Sequence, residues 1–178
     1  MPRQIVLLHG VNLGPSRRLA MADLRALLVD LGYEDAQTLA QSGNAVLSTP
    51  TAAKAIETKL ERELAARLGL ETEVCVRTRA QLAKVVARNP LADVVDDPSR
   101  YQVTFLKRAP SKSALRELES ADLGRERFAA AGRELYAWHA DGIHASPLAK
   151  LLGSGKLGLG GTARNWNTVT RLLALADA

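Results

Sequence analysis

The chain has 178 residues, 47% of them hydrophobic and only 4% aromatic, and a net charge of +5 from 24 Lys and Arg against 19 Asp and Glu. This length bounds it to one domain or two small halves sharing a core, and the apolar content excludes a disordered chain. No window approaches a membrane span, and the first apolar run, Ile5-Val6-Leu7-Leu8, is too short for a signal h-region, so a cytoplasmic protein is expected.

Residues 4–8 form a short apolar strand pattern. Residues 20–31 place Met21, Leu24, Leu27, Leu28 and Leu31 at helical spacing, with Gly32 as the stop. Strand-like runs over 36–40 and 44–47 are joined by Gln41-Ser42-Gly43-Asn44, a hairpin signal. A helix is predicted over 53–68, where Ile56, Leu60, Leu64 and Leu68 make an i+4 stripe ended by Gly69. A strand over 71–76 follows and carries Cys75, the one cysteine, which fits a reducing compartment.

That order, βαββαβ, is the ferredoxin-like pattern, an antiparallel sheet with both helices on one face. Downstream, 80–88 is helical up to Asn89-Pro90, an acidic loop covers 93–97, and a strand covers 101–106. A short helix over 112–119, a hairpin of 128–130 with 134–138 around Gly132, and helices over 147–152 and 162–176 complete the chain. The fold expected is α+β: a ferredoxin-like first half over 1–78, and a second, smaller α/β half over 79–178 packed against it. No repeat of fixed period is visible.

In a βαββαβ unit the first two strands run parallel, because a helix crosses between them. The loop Gly10-Val11-Asn12-Leu13-Gly14 and the turn Gln41-Ser42-Gly43-Asn44 should therefore share one end of the sheet, and Arg77 should leave at the other. Gly10, Asn12 and Gly14, continued by Pro15-Ser16-Arg17-Arg18 toward a helix start, could offer backbone N–H groups to an anion. The structural alternative is a glycine-rich turn with solvated arginines. Gln41, Ser42 and Asn44 are equally ordinary turn residues.

The third polar stretch is Gly161-Thr162-Ala163-Arg164-Asn165-Trp166-Asn167-Thr168-Val169-Thr170-Arg171. With Thr162 as N-cap of the last helix, Trp166, Val169 and Leu173 fall on its buried face, and Arg164, Thr168 and Arg171 share another stripe. Arg164 and Asn167 are then the functional candidates, with Asn165 at the border.

Other signals fail. Gly153-Ser154-Gly155-Lys156-Leu157-Gly158 matches G-x-G-x-x-G, but follows a helix rather than a strand and reads as a mobile linker. His9, His139 and His144 lack metal spacing, so neither metal nor cofactor is expected. The strands that would carry RNA-stacking aromatics have none. No nucleophile or general base can be named, which leaves enzymatic activity open.

Taken in order, these motifs resemble the bacterial domain of unknown function 1697 family. The resemblance rests on Leu7-Leu8-His9-Gly10-Val11-Asn12-Leu13-Gly14, Met21 with Leu24, Gln41-Ser42-Gly43-Asn44, Val76-Arg77-Thr78, Asn89-Pro90 and Arg164-Asn165-Trp166-Asn167-Thr168-Val169. It implies an α+β fold with a ferredoxin-like first half and supplies no activity. Two positions depart from the family pattern. His9 replaces the usual arginine before Gly10, and Pro147 replaces the usual lysine after Ser146. The function expected is binding of a small anionic or nucleotide-like ligand by Gly10, Asn12, Gly14, Gln41, Ser42, Asn44, Arg164, Asn165 and Asn167. The alternative is a nucleic-acid or protein-binding module using a basic surface, nucleic acid being the less favoured partner, with the amide motifs structural.

Overall fold

The computed structural model describes residues 1–178, which separate into two compact units, Met1–Ala87 with Thr170–Ala178, and Arg88–Val169. The helix after the fourth strand thus belongs to the first unit, not to a second half beginning at 79. The end of the last helix returns to the first unit as well.

The first unit runs β1 (Arg3–Leu8), α1 (Met21–Asp30), β2 (Gln37–Leu39), β3 (Asn44–Ser48), α2 (Ala53–Leu68), β4 (Val74–Thr78) and α3 (Arg79–Arg88). Its sheet has the order β2-β3-β1-β4 and every pair is antiparallel, the ferredoxin-like arrangement. Val6, Leu8, Ala45, Leu47, Val74 and Val76 face Leu24, Leu27 and Leu28 of α1 and Ile56, Leu60 and Leu64 of α2 in one apolar core. The alternate residues of β1, β3 and β4, namely Ile5, Leu7, Val46 and Cys75, are buried too.

Local chemistry sets the boundaries. Gly69 ends α2 in the left-handed region at φ 62°. Thr78 and Gln81 form a reciprocal capping box at the start of α3: Gln81 N donates to Thr78 Oγ1 at 3.1 Å, and Thr78 N donates to Gln81 Oε1 at 2.9 Å. β4 is an edge strand, and two carboxylates of α2 occupy its outer N–H groups. Val76 N donates to Glu57 Oε1 and Val74 N to Glu61 Oε1, both at 2.9 Å. Such pairing blunts an edge that would otherwise recruit another strand.

The second unit repeats this plan. After a 3-10 turn at Pro98–Arg100 it runs β5 (Tyr101–Phe105), α4 (Lys112–Ser120), β6 (Arg127–Ala131), β7 (Glu134–Trp138), α5 (Pro147–Gly153) and β8 (Thr162–Asn165), and α6 (Trp166–Asp177) follows. Its sheet order, β6-β7-β5-β8, is again second, third, first, fourth. The equivalence extends to register. Arg77 lies opposite Ile5 and Arg164 opposite Val103, each the third residue of its first strand. Each guanidinium donates from Nη1 to the carbonyl of the preceding residue, Val76 O at 3.1 Å and Ala163 O at 2.8 Å. The repeat is one of topology, which no sequence period announces.

The C-terminal stretch corrects the sequence expectation. Thr162 is not a helix cap; residues 162–165 pair with β5 as β8, and the helix begins at Trp166. The cap is Asn165, whose Oδ1 accepts from Thr168 N at 3.0 Å. Arg164 therefore shares no helical stripe with Thr168 and Arg171. Trp166 stacks on Tyr101 with ring centroids 4.9 Å apart. Residues 153–158 are not a free linker either, because Leu157 is buried among Ala114, Leu118, Leu135, Ala137 and Leu148.

Gly161 closes that loop onto β5. It holds φ +82°, and a Cβ there would overlap the Phe105 carbonyl oxygen. Gly161→Ala should therefore lower unfolding stability by about 1–3 kcal/mol, the usual cost of combined backbone strain and overpacking. Gly153→Ala, in open space, should not destabilise. Urea midpoints of the two variants measure the difference.

Candidate functional site

The loop between β1 and α1 is held by its own polar side chains. Asn12 takes a left-handed conformation at φ 57°. Its Nδ2 donates to Leu19 O at 2.8 Å and to Gln41 O at 2.5 Å, and its Oδ1 accepts from Leu19 N at 2.8 Å. Arg17 folds back under the loop, with Nε on Gly10 O at 2.9 Å and Nη2 on Glu71 O at 3.1 Å. Thr72 Oγ1 donates to His9 O at 2.5 Å. One amide and one guanidinium thus tie three segments to the same end of the sheet.

The hairpin turn meets this loop as the topology requires. Leu8 N donates to Gly43 O at 2.9 Å. Gly43, at φ +79°, admits no side chain: a Cβ would stand 2.7 Å from Val11 Cγ2 and 2.8 Å from Leu8 Cβ. Asn44 is fully buried, and its Nδ2 donates to Leu39 O and Ser42 Oγ, both at 2.8 Å. Arg77 lies toward the other end, since β4 sets Val74 beside Leu8 and Thr78 beside Gln4.

Above this scaffold an open cavity of about 560 Å³ is lined by Asn12, Leu13, Gly14, Pro15, Arg18 and Gln41. Arg18 is exposed and makes no ion pair, and the Gln41 side chain is exposed as well. Leu13, 82% exposed, adds an apolar wall. Among the expected site residues, Asn12, Gly14 and Gln41 line this cavity. Gly10 does not line it and instead accepts from Arg17 through its carbonyl, while Asn44 binds Ser42 and Leu39 within the hairpin.

Arg164, Asn165 and Asn167 belong to the second unit. Arg164 is buried in β8, where Nη1 also donates to Thr162 Oγ1 at 2.6 Å; Asn165 caps α6; Asn167 is exposed on the first turn of α6. The sequence points to Arg164 for the positive charge and to Arg17-Arg18 only as neighbours of the first loop. Arg164 and Arg18 both stand in polar stretches, and only the chain path separates the buried guanidinium from the free one. The second unit has its own cavity at the equivalent end of its sheet, about 360 Å³, lined by residues 108–111 and 157–159.

A family model described as protein of unknown function, DUF1697, matches residues 1–136. The chain belongs to this family. The matched span contains the loop and hairpin that line the first cavity and stops short of the Arg164–Val169 motif. No curated protein matches the chain. Among solved structures, the conserved bacterial protein SP0830 from Streptococcus pneumoniae is similar, with a TM-score of 0.78 at 19% identity over 98% of each chain. Similarity at that identity shows the fold alone. No helix of this DUF1697 member is long and apolar enough to cross a membrane.

The Asn12 amide makes two hydrogen bonds within the loop and one to the hairpin turn, so its first consequence is structural. Asn12→Ala should destabilise the first unit by about 1–3 kcal/mol, through unsatisfied backbone groups and a residue less tolerant of positive φ. Thermal unfolding, with amide exchange at Leu19, would register the loss.

Proposed function

We propose that the cavity beside the first β-α loop binds a small anionic or nucleotide-like ligand. Arg18 supplies the charge and Gln41 the amide recognition, with main-chain groups of the loop completing the site. One observation supports this reading above the others. Asn12 and Arg17 fix the loop, whereas the side chains of Arg18 and Gln41 reach the cavity without a hydrogen bond or ion pair of their own. A scaffold held in this way loses little conformational freedom on binding, and a free guanidinium suits phosphate or carboxylate geometry. Leu13 offers an apolar surface of the kind a base or sugar face covers. The described contacts of Arg164 and Asn165 lie inside the second unit.

Thermal-shift and calorimetric titration with nucleoside phosphates, sugar phosphates and inorganic phosphate provides the test, with wild type and Arg18→Ala compared. A charge-assisted contact is worth about 1.5–3 kcal/mol, so the variant should bind roughly ten- to a hundredfold more weakly. Equal binding by both proteins, or no binding of any of these compounds, would overturn the proposal. Binding of oligonucleotides that weakens steeply with added salt would point to a nucleic-acid surface instead.

A further inference from the structure

The second unit contains a buried polar cluster that the cavities do not use. His139 follows β7 and has no solvent exposure; Glu126 and Ser146 are nearly as enclosed. His139 Nδ1 is 2.7 Å from Ser146 Oγ, and Glu126 Oε2 stands 3.5 Å from the same nitrogen. Ser146 is the N-cap of α5, accepting from Ala149 N at 2.9 Å, while Glu126 Oε1 accepts from Leu148 N at 2.9 Å. These contacts hold the first turn of α5 and the segment between His139 and Ser146 onto the body of the unit.

The trio is no catalytic triad. A triad places nucleophile and carboxylate on opposite imidazole nitrogens, whereas here both approach Nδ1. The decisive atom is Nε2 on the far side, which is buried without a hydrogen-bond partner. With the proton on Nδ1, donated to Ser146 Oγ, Nε2 is a bare lone pair. The other tautomer, or the imidazolium, would bury an N–H with no acceptor, which costs more.

We propose that His139, Glu126 and Ser146 form a proton-sensitive latch, closed while His139 is neutral, that releases the first turn of α5 when His139 takes up a proton. Other charged groups on the surrounding segments reach solvent. Arg100, whose carbonyl accepts the His139 N–H, pairs with Asp97, and Arg125 pairs with Asp141. Arg127, His144 and Lys150 are exposed. Glu126 is the buried carboxylate that acts on the ring.

Burial pushes the His139 pKa below its ordinary 6.5, with Glu126 opposing the shift. The sign follows: the closed form disfavours the proton, so the latch is fully closed above pH 6.5 and loosens as pH falls below it. One unit below that value, opening should become easier, by at most about tenfold.

Amide exchange at Leu148 and Ala149, corrected for intrinsic rates, tests the latch at pH 7.5 and 5.5. The expected result is a loss of protection, of up to about tenfold, in the wild type at pH 5.5, with no pH-dependent loss in His139→Asn, which keeps a donor near the Nδ1 position. Unchanged wild-type protection, or the same loss in the variant, would overturn the proposal. If the variant does not fold, NMR titration of the His139 ring decides: a pKa at or above 6.5 refutes the latch, and a lower one supports it.

Discussion

Everything in each unit is arranged around its first strand. β1 lies between β3 and β4, and β5 between β7 and β8, so each accepts antiparallel partners on both sides. In each unit the crossover helices join strands one position apart, which leaves the third strand between the first and second and the first between the third and fourth. Ile5, Val6, Leu7 and Leu8 are accordingly all fully buried, on both faces of the sheet. A continuous apolar run is what such a position demands. The same geometry gathers the loop after the first strand, the hairpin turn and the loop before the fourth strand at one end, where a cavity opens in each unit.

Polar side chains in this protein serve first as braces. Asn12, Asn44, Thr78, Gln81 and Asn165 each satisfy main-chain groups that loops, hairpins and helix starts leave unpaired. Glu57 and Glu61 do the same for an edge strand. In the second unit, Glu126 and Ser146 secure the start of α5, with His139 as the titratable member. Where bracing is complete, a neighbour with no structural duty can face solvent in a defined place. Arg18 beside the fully engaged Arg17 is the clearest instance.

The sequence was most legible where one period dominated. The i+4 stripe of Ile56, Leu60 and Leu64, stopped by Gly69, places α2 over 53–68 in both sequence and structure. The order of the first six elements then yields the sheet topology and the meeting of Asn12 with Gln41. It was least legible near Arg164. Four residues of β8 run directly into α6, so strand pairing and helix cap overlap within one polar segment. Missing that strand hid the second βαββαβ unit as well.

Sequence alone determined the ferredoxin-like first half, the α+β class and the family, because these follow from local periodicity, turn chemistry and ordered motifs. Only the tertiary structure decided the duplicated topology, the burial of Arg164 and His139, and which arginine of the 17–18 pair faces the cavity. Those outcomes depend on hydrogen bonds between residues far apart in the chain, such as Arg17 with Glu71 and Leu148 with Glu126. A one-dimensional pattern carries the spacing of side chains along an element. It does not carry the direction in which a loop closes, and that direction settles which polar groups are consumed and which stay available.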